Sequence, residues 1–111
     1  MVLSNLTQKS LITEDLKEAT SIVDKSLGLL KKSNPRSLLF KTRFGIHTLF
    51  LKEPIDVLIL DKAGIVKKIA TVNPNRIFIY HPIYSTVVEL PKGTIKKSKT
   101  KVGDKLKLQK F

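Results

Sequence analysis

Residues 55–69 read Ile55-Asp56-Val57-Leu58-Ile59-Leu60-Asp61-Lys62-Ala63-Gly64-Ile65-Val66-Lys67-Lys68-Ile69. Two runs rich in β-branched and aliphatic side chains flank a turn that ends in glycine, the pattern of a β-hairpin. Pro54 precedes the first run, where a strand tolerates a missing N–H. By the two-residue period of a strand, Asp56 shares a side with Leu58 and Leu60. An ionisable group on an otherwise apolar stripe needs a partner or a task.

Short strands and turns continue on both sides of the hairpin. Toward the C-terminus, Asn73-Pro74-Asn75 turns the chain into Arg76–Tyr80, and His81-Pro82 interrupts before Thr86–Leu90. Pro91-Lys92-Gly93 is a turn, and Thr94 is placed to cap one helical turn running to Lys99. Lys105–Leu108 alternates cleanly and reads as the last strand. Toward the N-terminus, Ile46–Leu51 and Leu38–Phe40 are strand-like. Before Pro35 the period changes. Ser21-Ile22-Val23-Asp24 has capping-box spacing, and Ile22, Leu29 and Leu30 recur at helical intervals. Ser33-Asn34-Pro35 ends that helix, because the residue before proline avoids helical angles. Leu11-Ile12-Thr13 resembles a strand fragment, while Glu14 to Ala19 has helical propensity. The pattern predicts a mainly β (α+β) fold: a small, mostly antiparallel barrel-like or sandwich domain with one packed α-helix near residues 21–32. One helix is too few for a repeating βαβ sheet. Residues 1–111 are expected to form a single domain, with residues 1–10 as a flexible N-terminus.

Composition narrows the setting. A chain of 111 residues with 41% hydrophobic residues has material for a core. It has no cysteine, which excludes disulfides and thiolate metal sites. With only His47 and His81, a zinc site would need carboxylates to complete it, and neither metal nor cofactor is expected. No stretch approaches the length and apolarity of a membrane span. Met1 to Ser10 has no basic segment leading into an apolar run, so no secretory signal is read there. A reducing, cytoplasmic setting is the expectation. The net charge of +12, from 21 basic against nine acidic residues, is large for the size. It suits a polyanionic partner such as nucleic acid or an anionic membrane surface. It equally suits a solvated surface that keeps the protein soluble. Nearly all of the excess is lysine without aromatic interleaving. That favours the solvated reading over nucleic acid.

The run Gly45-Ile46-His47-Thr48-Leu49-Phe50-Leu51-Lys52-Glu53-Pro54-Ile55-Asp56-Val57 resembles the signature of the domain-of-unknown-function 192 family. Further pieces follow in order: Ala19 with Ser21, Gly28-Leu29-Leu30, Gly64-Ile65-Val66, Pro74-Asn75-Arg76, Val88-Glu89-Leu90-Pro91-Lys92-Gly93-Thr94 and Val102-Gly103-Asp104. The chain departs at Leu51, where the family usually has Met, and at Glu53 and Lys92. The resemblance runs from Leu11 to Leu108. It implies a compact, mostly antiparallel β domain with a helix packed on it, and it implies no established activity.

Five polar residues are candidates for a site. His47 falls on the side of Leu49 and Leu51. Lys52 stands at the turn before Asp56 and is placed to hold an anion near it. Arg76 follows a proline turn and has Asp56, Asp61 or Glu89 as possible partners. Glu89 lies between Val88 and Leu90, and a buried carboxylate there needs a partner. Each also has a structural reading. Asp56 accepts backbone N–H bonds where its strand begins, and His47 bonds within the core. The stretch from Lys92 to Lys110 holds eight lysines and one acid, Asp104. Within it Lys96, Lys97, Lys99 and Lys101 form a candidate anion-docking strip, or an edge that lysine protects from aggregation.

No P-loop, dinucleotide glycine motif, Gly-x-Ser-x-Gly or HExxH is present. Two function classes remain. The first is a binding or scaffold domain for a small ligand, an anionic partner or a protein. The alternative is an enzyme whose atypical acid–base site is built from His47, Asp56, Arg76 and Glu89.

Overall fold

The computed structural model describes residues 1–18, 37–43, 45–48 and 52–110. The helix expected near residues 21–32 lies outside them, as do residues 49–51 of the strand expected over 46–51. In chain order the described elements are β1 (Val2–Asn5), β2 (Ser10–Thr13), β3 (Lys17–Glu18), β4 (Leu38–Lys41), β5 (Gly45–His47), β6 (Ile55–Leu60), β7 (Val66–Val72), β8 (Ile77–Ile79), β9 (Thr86–Pro91), α1 (Thr94–Ser98) and β10 (Leu106–Gln109). The fold is mainly β with one short helix among the described residues, as the pattern of short apolar runs and turns predicts.

The centre is a five-stranded sheet in the order β3-β4-β9-β6-β7, antiparallel except where β3 runs parallel to β4. All six residues of β6 are buried. A strand can do this only when both faces of its sheet are covered. One face carries Leu39, Leu58, Leu60, Val88 and Leu90, and packs against Leu3, Ile12 and Leu106 of a β10-β1-β2 sheet. The other carries Phe40, Ile55, Val57, Ile59 and Val87, and packs against Ile46 and Tyr80 around a β5-β8 ribbon. Two cores result, one on each side of the same backbone.

The hairpin predicted from residues 55–69 is present, with β6 and β7 paired from Ile55↔Val72 to Leu60↔Val66 and a register shift at Ile59/Leu60. Its turn is held by Asp61, whose Oδ1 accepts from the N–H of Ala63 and of Ile65, each at 2.9 Å. Gly64 supplies the positive φ of 83° that the turn demands.

The opening segment differs from the expectation of a flexible N-terminus. Residues 2–5 form β1, the middle strand of its sheet, with Leu3 and Asn5 each 1% exposed. Four residues are too short for their alternation to be read alone; pairing with β10 and β2 on both sides fixes them. Of Glu14 to Ala19, read as helix-prone, the described residues 14–18 instead lead into β3. The pairing with β4 overrides local propensity there.

The ribbon depends on one close approach. A Cβ on Gly45 would stand 2.7 Å from the carbonyl oxygen of Phe78. Gly45→Ala is therefore expected to cost about 1–3 kcal/mol through overpacking against backbone. Urea denaturation checks this, and an unchanged midpoint would mean that the ribbon shifts freely.

Candidate functional site

Asp56 is the second residue of β6 and is 2% exposed. Its Oδ1 accepts from Thr71 Oγ1 at 2.7 Å on the neighbouring strand. Its Oδ2 accepts from the N–H of Gly93 at 3.0 Å and of Ile95 at 2.9 Å. These two N–H groups are first-turn donors of α1 that have no partner within the helix. The helical turn predicted after Pro91 thus exists, but Thr94 does not cap it. The Thr94 hydroxyl donates to Pro91 O at 2.6 Å, and Asp56, from a distant strand, does the capping. Every side-chain bond that Asp56 makes ties β6 to β7 or to the start of α1.

Glu89 is different. It is 5% exposed, on the face of β9 opposite to Asp56, flanked by Leu38 of β4 and Val57 of β6. Among the described residues no hydrogen bond or ion pair reaches its carboxyl group. Burial pushes that carboxyl up to about 8. An isolated carboxylate is costly in apolar surroundings, so the group holds its proton instead.

The other candidates do not gather around these two. Arg76 is exposed and pairs with none of Asp56, Asp61 or Glu89. Its backbone N–H donates to Thr48 Oγ1 at 2.9 Å, and the Thr48 hydroxyl donates to Asn73 O at 2.6 Å. Thr48, fully buried and missed as a candidate, therefore locks β5 to the Pro74 turn. His47 is placed by its backbone opposite Ile77 on the ribbon. Lys52 is exposed, and the bonds of Asp56 go to Thr71, Gly93 and Ile95 rather than to it.

The lysines of the C-terminal stretch are arranged more coherently. Lys96 and Lys97 lie on α1, Lys99 ends it with a left-handed φ of 59°, and Lys101 follows. All four are exposed. Beneath them is a buried polar network. Ser98 and Thr100 share a hydroxyl bond of 2.7 Å, and Asn5 Nδ2 donates to Thr100 Oγ1 at 3.1 Å and to Asp104 Oδ2 at 2.9 Å. Burial alone would raise the Asp104 carboxyl. Bonds from Asn5, the Lys101 N–H and Gln8, with the Lys101 charge, outweigh it and hold the group below the ordinary range. The sole ion pair among the described residues is Lys67–Asp61 at 3.7 Å. No acid there forms an ion pair with any of the four lysines, and only Asp104 acts on one of them, Lys101, at longer range.

Two substitutions separate the carboxyl groups. Asp56→Asn keeps the shape but weakens charge-assisted bonds, and is expected to cost about 1–3 kcal/mol. An unchanged denaturation midpoint with an unchanged slope would overturn the anchor role. Glu89 has a folded pKa above its unfolded one, so the folded state keeps a proton that the unfolded state releases. Stability is full below 4.5 and is lost as pH rises toward about 8. Glu89→Gln should remove this slope, with an advantage over the parent that grows across that window to the order of several kcal/mol. Urea midpoints across the window test it, and a difference independent of pH would contradict it.

Comparison with known proteins follows the same lines. The sequence profile of the family described as "DUF192: Uncharacterized ACR, COG1430" matches residues 5–108. UPF0127 protein PH1112 of Pyrococcus horikoshii is 33% identical over 99 residues, covering 84% of this chain and 86% of the relative. UPF0127 protein PYRAB11210 of Pyrococcus abyssi is 32% identical over 94 residues, covering 79% and 80%. A crystal structure of a proposed transcription regulator from Sinorhizobium meliloti 1021 superposes with a TM-score of 0.78 at 20% identity, over 96% of this chain and 89% of that one. A protein of unknown function from Novosphingobium aromaticivorans gives 0.77 at 14%, over 96% and 82%. At such identities the structural likeness speaks for fold alone. The matched length, and the run from Gly45 through Gly103-Asp104 inside it, make this chain a member of the domain-of-unknown-function 192 family.

Proposed function

We propose that the chain is a non-catalytic binding domain that docks an anionic macromolecule through the lysines of α1 and the loop behind it. One observation carries this reading. Lys96, Lys97, Lys99 and Lys101 are exposed on a segment held from below by Asp56, Asn5 and Asp104, and no acid among the described residues forms an ion pair with them, Asp104 acting on Lys101 only at longer range. A strip that is merely solvated needs no such support, whereas a docking strip gains from being held in place. The net charge of +12 adds long-range attraction for the same class of partner. No helix among the described residues is long and apolar enough to cross a membrane. The cytoplasmic setting expected from the sequence belongs to the same proposal. The name of the Sinorhizobium neighbour makes nucleic acid the first polyanion to try.

The enzymatic alternative has less support. Asp56 and Glu89 sit on opposite faces of one sheet, Asp56 has its acceptor oxygens engaged, and Arg76 stands apart from both. A general acid and base must reach a common substrate.

The test is anisotropy of a labelled single-stranded oligonucleotide, with heparin as competitor, across a salt series. Neutralising four phosphates predicts a log–log slope of about −3. Replacing Lys96, Lys97, Lys99 and Lys101 together by Ala should flatten it. Absence of binding at low salt, or a slope unchanged in the quadruple variant, would sink the docking strip.

A further inference from the structure

A second feature lies at the other end of β6. Asp56, which holds α1, is the second residue of that strand and Leu60 the last, about 13 Å away at the usual rise per residue. Beside Leu60 the five-stranded sheet and the β10-β1-β2 sheet part to leave a cleft of about 280 Å³. Its floor is aliphatic: Leu3, Leu39, Leu60 and Leu106 come from both sheets and belong to the core, and Leu108 stands at the mouth, 38% exposed. The volume falls just below the usual range for small-molecule sites, roughly 300–1,000 Å³, and suits a slender ligand.

The rim is charged. Lys41, Lys62 and Lys110 share it with Glu18 and Asp61. Asp61 is already engaged by the N–H groups of Ala63 and Ile65 and by Lys67, which hold its carboxyl below the usual range, the Ile65 bond foremost. Lys41 donates to Thr86 Oγ1 at 2.7 Å. Lys62 and Lys110 are exposed and make no ion pair with a described residue. An aliphatic slot under two unpaired cations suits a ligand with a hydrocarbon tail and one anionic head.

We infer that this cleft binds a medium-chain aliphatic carboxylate, its tail running over Leu108 onto the edges of Leu39 and Leu60 and its head between Lys62 and Lys110. The leucines recognise only length and width, because they offer no donor or acceptor to a functional group along the tail. The lysines set the sign of the head. This site is independent of the α1 strip, so loss of one leaves the other.

The experiment is isothermal titration of the full chain with hexanoate, octanoate and decanoate, each below its micelle concentration. Affinity should rise about fourfold per added methylene until the slot is full. Octyltrimethylammonium, with the same tail and the opposite head, should not compete. Lys62→Glu combined with Lys110→Glu should weaken octanoate by at least about tenfold. Leu108→Glu, at a half-exposed position that does not threaten folding, should do the same. The Lys96/Lys97/Lys99/Lys101→Ala variant should bind octanoate as the parent does. Equal binding of the cationic amphiphile, no dependence on chain length, or charge reversal without effect would overturn the inference. So would binding seen only with phosphatidylglycerol vesicles, which would assign the lysines to a membrane surface instead.

Discussion

The structure depends on a sheet whose two central strands are buried on both faces. Strands β6 and β9 expose almost nothing on either side, so neither face is left to water. Antiparallel sheets commonly leave one face wet; this one is covered twice, by the β10-β1-β2 sheet and by the β5-β8 ribbon. Each covering layer is too small to stand alone. The layers are stable because the centre offers them apolar area, and the centre is stable because they take it out of water. The two carboxyl groups in the centre show the consequences of that arrangement. On one face Asp56 finds three donors and becomes a joint between strand and helix. On the other face Glu89 finds none among the described residues and keeps its proton well above the usual range.

Much of the centre was legible because its strands carry their own signal. The runs at 38–40, 55–60, 65–69, 86–90 and 105–108 each correspond to a strand to within a few residues, since β-branched and aliphatic side chains between turn residues leave few alternatives. Strand β1 was not legible. Val2-Leu3-Ser4-Asn5 is too short for a pattern, and what makes it a strand is β10, about a hundred residues away. The site divides the same way. That Asp56 lies on the side of Leu58 and Leu60 follows from period alone, and the structure keeps it there. That Asp56 caps α1 while Glu89 has no described partner depends on which strands become neighbours, which period cannot tell. Thr48 escaped notice because a threonine before an apolar run is unremarkable until the Pro74 turn folds onto it.

The lysine segment rests on a conflict between charge and order. Like charges on neighbouring exposed positions repel, and a free loop relieves that by moving. Here the relief is prevented from below. Asn5 reaches Thr100 and Asp104, Ser10 donates to the Ser98 carbonyl at 2.6 Å, and Asp56 grips the first turn of α1. Buried polar networks of this kind are rigid when every member is satisfied. The positive potential is therefore concentrated over a fixed patch rather than averaged over a moving one.

The pairing of β1 with β10 bears on how the protein is made. Strand β1, the middle strand of its sheet, leaves a ribosome about a hundred residues ahead of β10, one of its two partners. While residues 6–105 are being added, Leu3 lacks β10 and Asn5 lacks Asp104. Contacts between distant parts of a chain slow folding, because the loop between them must close before they bring any return. Synthesis adds a second delay, since one of the strands is not yet there. The nascent chain spends that interval with an unpaired apolar edge, the state in which β proteins are most open to wrong partners and in which a chaperone that holds extended strands has most to offer.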